Sequence, residues 1–368
     1  MKVAIVYDRV NKWGGAERVL LVLHEMFPDA PLYTSVYSPS NAPWARIYPE
    51  VIPSFIQKIP LAKDRHEHFP YLMPIAFESF DFSDFDLVVS VTSEAAKGII
   101  TKPSTKHICY CLTPTRYLWS GYGDYFKYSP IKYISYPIIS YLRYWDKIAA
   151  QRPDIMVSIS TEVQKRIDKY YSRDSVVIYP PVDTEKFTTG DMRLAKKKPS
   201  CQLSATNYYL VVSRLVPYKK VDLVIDAFNE LGYPLVVVGK GWDEKKLKKM
   251  ALSNVAFTGY LTDEELAGYY QRARAFVFPQ EEDFGLVAVE AQAAGCPVIA
   301  YKKGGALDTV VDGKTGVFFE EQNRSSLIDA IKRFEDQEFE KSVMVKNAGG
   351  FAKINFKKKF MSIVRNLD

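Results

Sequence analysis

No stretch of this chain is apolar for long enough to cross a bilayer, and the opening MKVAIVYD reads as a core strand rather than a secretion signal. We therefore expect a cytoplasmic protein, soluble or peripheral on the inner face of the cell membrane. Basic residues are not gathered anywhere. Residues 1–190 carry 22 Lys/Arg against 20 Asp/Glu and the remainder 27 against 23, so the net +6 is spread along the chain. That speaks against a nucleic-acid binder, which concentrates its charge on one face, and leaves room for a small anionic ligand or an anionic membrane. Cysteine is scarce. Cys109, Cys111, Cys201 and Cys296 make no CxxC pair, and the first two alternate in a strand-like run as buried thiols do. No GxGxxG follows any strand, which disfavours a dinucleotide-dependent oxidoreductase.

What is present is a globular composition, 47% hydrophobic and 25% charged, in 368 residues, too many for one core and suited to two domains. Short apolar runs alternate with helical patterns. KVAIVYD (2–8) precedes AERVLLVLHEMF, LVVSV (87–91) and HICYC (107–111) follow, and IMVSIS (155–160) and SVVIYPPVD (175–183) close the series. After the polar, aperiodic stretch 188–207 a second series begins, with strands at 208–214, 234–241, 255–260, 275–279, 297–301 and 316–319. Apolar strands separated by helices indicate parallel sheets covered on both faces. The expected fold is α/β, two Rossmann-like doubly wound domains facing a cleft: residues 1–190, residues 191–345, and a C-terminal helix, 346–368, packing back on the first domain. Ligands of such folds lie outside the carboxyl ends of strands.

Three places could carry chemistry. Gly14-Gly15 sits between a strand and a helix, where backbone amides can approach an anion; a tight turn explains it equally well. In SRLVPYKKVD, Arg214 ends a strand and Lys219 follows five residues on, two cations suited to a diphosphate. The bland alternative is a solvated helix start, although cations oppose the dipole there. In PQEEDFGLVAVEAQAAG, a strand stops at Pro279 and a helix starts near Gly285. Acids at a helix start complement its dipole, which accounts for Glu281, Glu282 and Asp283 but poorly for Glu290, one turn inside. A carboxylate there can instead accept hydrogen bonds from the vicinal hydroxyls of a sugar, with Glu282 at the opposite end of the same ligand.

Other patterns are set aside. Asp84-Phe85-Asp86 precedes a strand, whereas a metal-holding pair should follow one. His66-Glu67-His68 has no further ligand nearby and reads as a solvated face. Residues 125–145, YFKYSPIKYISYPIISYLRYW, fit either an interfacial patch on a membrane or an amphipathic helix pair packed on the sheet, the second being favoured.

Together these segments resemble the retaining GT-B-fold glycosyltransferases of family 4 (group 1), and most of all the mannosyltransferases of O-antigen and other surface polysaccharides. Glu282 and Glu290, in EDFGLVAVE, fit the E-x7-E motif of that family, and GGAERVL, TPTRYLW, SRLVPYKKVD, GYLTDEEL and GGALDTVVDGKTG occur in its order. The resemblance implies that Glu290 binds the ribose, that Glu282 lies against the transferred sugar and that Arg214 and Lys219 hold the diphosphate. It further implies that Gly14 and Gly15 approach the phosphates and that amides around Phe284, Gly285 and Leu286 contact sugar and phosphate. One position departs from the pattern: Leu112 stands where many relatives have histidine, and His107, five residues earlier, is no obvious substitute. The role of that histidine is unfilled or moved here.

The resemblance thus implies a retaining, metal-independent hexosyltransferase without a further cofactor. Its donor would be a nucleotide sugar, GDP-mannose favoured, and its acceptor a glycan or polyprenyl-linked saccharide, with peripheral membrane contact. A UDP-sugar donor is the first alternative and a non-catalytic nucleotide-sugar-binding protein the second.

Overall fold

Runs of Val, Ile and Leu form strands buried on both faces, and helices with one apolar stripe cover them. In this computed structural model, residues 1–63, 65–122, 131–189 and 207–367 are described. They form two units, Met1–Tyr179 with Lys357–Asp368, and Pro180–Phe356.

In unit 1, β1 (Val3–Tyr7), α1 (Gly15–Met26), β2 (Leu32–Thr34), β3 (Val51–Pro53), α2 (Met73–Glu78), β4 (Leu87–Thr92), β5 (Lys106–Cys111), α3 (Ile131–Ala149), β6 (Ile155–Ser158), α4 (Thr161–Tyr171) and β7 (Val176–Val177) follow in order. The strands make one parallel sheet ordered β3-β2-β1-β4-β5-β6-β7. Strand order reverses beside β1, so the switch point lies between β1 and β4. The segment 125–145 divides: 125–130 fall outside the described residues, and the remainder lies in α3.

Unit 2 contains α5 (Thr184–Thr188), β8 (Tyr208–Val212), α6 (Val221–Leu231), β9 (Leu235–Val238), α7 (Glu244–Met250), β10 (Val255–Gly259), α8 (Asp263–Arg272), β11 (Ala273–Phe278), α9 (Leu286–Ala293), β12 (Val298–Tyr301), α10 (Ala306–Thr309), β13 (Gly316–Phe319), α11 (Arg324–Glu335) and α12 (Lys341–Gly349). Its parallel sheet is ordered β10-β9-β8-β11-β12-β13, with the switch point between β8 and β11. Helix α6 shows why the pattern folds this way: Val221, Val224, Ile225 and Phe228 recur at helical spacing and are buried, and Gly232, at φ 71°, ends it. Helix α8 starts with a reciprocal cap between Thr262 and Glu265.

The division falls earlier than the sequence suggested, and 190–206 lie outside the described residues. The cause is α5, which is tied into unit 2: Thr188 donates to the Ala293 carbonyl at 3.1 Å, and Lys186 pairs with Asp263 at 3.2 Å. Helix α12 also stays in unit 2, where Asn347 donates to Gln292 at 2.7 Å. The last helix, α13 (Lys353–Arg365), contributes to unit 1 from Lys357 onward, and Lys357 pairs with Glu25 at 2.7 Å.

Candidate functional site

Arg214 and Lys219 follow β8, and Glu282 follows β11, so both segments emerge at the carboxyl ends of the two strands that flank the switch point of unit 2. There Lys219 Nζ and Glu282 Oε1 form an ion pair between residues 63 positions apart in sequence. Neither side chain is fully buried, at 13% and 21% exposed, so the pair is open to an incoming ligand. Arg214 is exposed and donates to the Tyr218 hydroxyl at 2.7 Å, while the Tyr218 ring faces Lys219 Nζ at 5.2 Å. Tyr218 thus lies between the two cations, a role its sequence position did not reveal. Gln280, 2% exposed, donates to Glu282 Oε1 at 3.3 Å, and its own amide oxygen has no hydrogen-bond partner among the described residues.

Glycine makes this edge thin. Gly285 caps α9 at φ 88°, and a Cβ there would come within 2.7 Å of the Phe278 ring. Gly304, at φ 64°, lets the loop after β12 lie against the backbone of Glu282, where a Cβ would meet the carbonyl oxygen at 2.4 Å. The Gly305 amide donates to that same carbonyl at 2.8 Å, which fixes the main chain carrying Glu282. Gly285 has no side chain with which to cap α9, the Ala288 amide of the first turn donates to the Gly285 carbonyl at 3.0 Å, and the positive end of the helix dipole lies at this edge. Phe284 is buried and packs edge-on against Phe351 at 5.6 Å.

Glu290 is 1% exposed, one turn into α9, in a helix whose residues from Ala288 to Ala293 are all buried. Side chains in a helix tilt toward its N-terminus, so Glu290 is directed back to the end led by Gly285. A buried carboxylate is costly unless hydrogen-bonded, and a dipole-complementing acid has no need of burial. The described geometry thus gathers Lys219 and Glu282 at the switch point of unit 2, with Arg214 joined to Lys219 through Tyr218 and Glu290 buried one turn into α9.

Gly14 and Gly15 belong to unit 1, at the start of α1. Gly14 is extended, and beneath it lies an acid the sequence reading missed. Glu17, 2% exposed, accepts from the Tyr7 hydroxyl at 2.9 Å and would touch a Cβ on Gly14 at 3.1 Å. Burial and the Glu17 carboxylate hold the Tyr7 phenol well above its ordinary pKa. Glu17 already complements the dipole of α1, so this loop offers close approach rather than positive charge.

The switch point of unit 1 is closed by the chain itself. Asp8 accepts from the backbone amides of Ser93, Glu94, Ala95 and Ala96 at 2.6–3.0 Å and from the Thr92 hydroxyl at 2.9 Å. That ring of amides is an anion nest, and its anion is Asp8. Nearby, Arg9 pairs with Glu94, and the fully buried Lys97 pairs with Asp146 at 2.5 Å. Leu112 directly follows β5 and is half-buried. His107 is fully buried in β5, bonded to Ser90 Oγ at 2.8 Å, and burial lowers its pKa to about 3, so it is a structural imidazole. Asp86 accepts from the Lys2 amide at 2.7 Å, as a strand-entry turn requires. Among the described residues no group of three His, Cys, Asp or Glu side chains could hold a metal.

Two parallel-sheet units, the second with cations, acids and a glycine-led helix at its switch point, define an α/β protein with the GT-B architecture expected from the sequence. The whole chain superposes on HepE of Anabaena, solved in complex with UDP, at a TM-score of 0.72 and 19% identity, covering 100% of both chains. Residues 195–350, most of unit 2, match the family model "Glycosyl transferases group 1". An uncharacterised glycosyltransferase of Methanocaldococcus jannaschii is 29% identical over 217 residues, 57% of this chain and 58% of that protein. A GDP-mannose-dependent alpha-(1-6)-phosphatidylinositol monomannoside mannosyltransferase of Mycobacterium tuberculosis is 30% identical over 198 residues, 48% of this chain and 51% of that protein. The chain thus spans about half the length of the curated relatives it matches.

Proposed function

We propose that this chain is a retaining, metal-independent glycosyltransferase. It moves a hexose, mannose from GDP-mannose in the favoured reading, onto a glycan or polyprenyl-linked saccharide in surface polysaccharide synthesis. The observation that carries the reading is the Lys219–Glu282 pair at the switch point of unit 2, beside the glycine-led start of α9. Mannose is favoured by the mycobacterial relative named for GDP-mannose. The UDP held by HepE keeps a UDP-sugar donor as the alternative.

In this mechanism the diphosphate binds Arg214, Lys219 and the amides of Gly285 and Leu286. On its arrival Lys219 exchanges one anionic partner for another, and Glu282 is freed to accept hydrogen bonds from the sugar. Glu290 accepts from the ribose hydroxyls. As the bond from the anomeric carbon to the phosphate oxygen breaks, charge grows on the leaving diphosphate, and the fixed cations and amides stabilise it without rearrangement. The acceptor oxygen attacks the same face, and its proton passes to the departing phosphate, so configuration is retained.

Calorimetry with GDP, UDP and NAD, followed by donor turnover in Glu290→Gln and Arg214→Ala, tests this. We expect a nucleoside diphosphate to bind and turnover in each variant to fall by about 10²-fold. Binding of NAD alone, or full transfer by both variants, overturns it.

A further inference from the structure

Gln280 stands between two fixed points of the main chain. The Pro279 carbonyl before it accepts from the Gln322 side-chain amide at 2.9 Å, and the Glu282 carbonyl after it accepts from the Gly305 amide at 2.8 Å. The side chain is buried, and a neighbour sets its orientation. Its nitrogen, Nε2, donates to Glu282 Oε1, the same atom that pairs with Lys219. Turning the amide over would put its oxygen against the carboxylate, two acceptors face to face, so the nitrogen keeps that side.

The oxygen, Oε1, is shielded from solvent and has no hydrogen-bond partner among the described residues. An atom in that position is unfavourable, and Met or Leu would fill much the same volume without the cost. Buried acceptors without a partner are rare in folded proteins, and each calls for a reason. Oxygen and nitrogen share one carbon, so Oε1 lies within about 6 Å of the Glu282 carboxylate, where the proposed function places the sugar. An amide oxygen and a carboxylate are both acceptors, and an ionised diphosphate has no proton to give either of them. The hydroxyl groups of a sugar ring do.

We propose that Gln280 is a specificity-determining residue of this site: its Oε1 accepts a hydrogen bond from one hydroxyl of the transferred hexose, beside the hydroxyl that Glu282 takes. The inference rests on the glycosyltransferase reading and deepens it. A buried acceptor built for one hydroxyl discriminates against a sugar that lacks it, because the acceptor then stays unpaired.

The test is turnover of GDP-mannose and of UDP-glucose, each beside its 2-, 3-, 4- and 6-deoxy forms, by the full chain and by Gln280→Met. The intrinsic reactivity of each deoxy sugar is the same for both proteins and cancels in the comparison. We expect the penalty for one deoxy form to shrink by about tenfold in Gln280→Met, and the penalty for every other form to stay within about twofold. Affinity for free GDP or UDP, read by calorimetry, should change by less than about twofold, since neither carries a hexose. If Gln280→Met fails to fold, Gln280→Ala, which adds no bulk, takes its place with the same expectations. The proposal fails if no deoxy penalty changes, if all of them shrink together or if affinity for the free nucleotide falls along with turnover. In each of these outcomes the transferase reading survives. If the parent chain turns over neither donor, both fall together.

Discussion

The same topological point is built in opposite ways in the two units. In unit 1 the segment after β4 folds into a nest of amides, and the chain fills it with Asp8. In unit 2 the segment after β11 leads into α9 through Gly285, and the charge nearby is a partly exposed cation, Lys219, balanced by Glu282. Parallel sheets create a crevice wherever strand order reverses. What decides whether that crevice becomes a site is who supplies the anion. Unit 1 supplies its own, whereas unit 2 presents the partly exposed Lys219–Glu282 pair, where the proposed function places a diphosphate.

The sharpest way to break the comparison is to empty the nest of unit 1. Asp8→Ala removes the acceptor of four amides, of which those of Ala95 and Ala96 are buried, and of the buried Thr92 hydroxyl, and each buried group left unsatisfied costs about 1–3 kcal/mol. Allowing for relaxation and entering water, the net loss should be about 3–5 kcal/mol, read as a fall in the urea midpoint. Asp8→Asn, which keeps one acceptor oxygen, should lose less. A midpoint unchanged in Asp8→Ala would mean that the nest is not closed by this carboxylate, and the contrast between the units would fall.

The second prediction concerns the open crevice. Lys219→Met should lower transfer by about 10²-fold, since one fixed charge on a developing anion contributes about 3 kcal/mol. Because the Lys219–Glu282 pair is partly exposed, breaking it should change stability by no more than about 1 kcal/mol. Parallel measurement of turnover and thermal midpoint checks both halves. A large fall in midpoint with little change in rate would make Lys219 the counterpart of Asp8, a structural ion rather than a functional one.

These contrasts also show how far the sequence could be read. The long strands were legible because a strand buried on both faces is a continuous apolar run, as in β4 and β8. Strands β2 and β3 were not, since three residues such as Leu32–Thr34 show no period and Pro53 ends the other. Glu290 stood out because an acid inside an apolar helix violates the pattern around it. Asp8 gave no such signal: an acid after a strand looks ordinary until residues 92–96 fold over it. Tyr218 and Gln280 were hidden for the same reason. Their work is defined by neighbours, and a tyrosine in a loop or a glutamine after proline breaks no local rule. Of the segment 125–145, residues 131–145 lie in α3, which buries Ile139, Leu142 and Trp145 and exposes Tyr141 and Tyr144.

The smallest expected effect again separates the units. All four histidines, His24, His66, His68 and His107, lie in unit 1, so imidazole-linked instability cannot arise in unit 2. His107 is buried near Arg173 and Arg152, and its pKa is lowered from 6.5 to about 3. Below pH 6.5 the unfolded chain takes up a proton that the folded chain refuses, so stability falls as pH drops from 6.5 toward 3. The slope is at most about 1.4 kcal/mol per pH unit, and between pH 7 and pH 5 the loss should be about 2 kcal/mol. His107→Gln keeps a partner for Ser90 and does not titrate, so its urea midpoint should fall less over that interval than that of the parent chain. Carboxylates contribute equally to both curves, and the difference between them isolates the imidazole. Parallel curves would mean that the folded chain takes up the imidazole proton as readily as the unfolded chain, and burial of His107 would then not be a source of acid sensitivity.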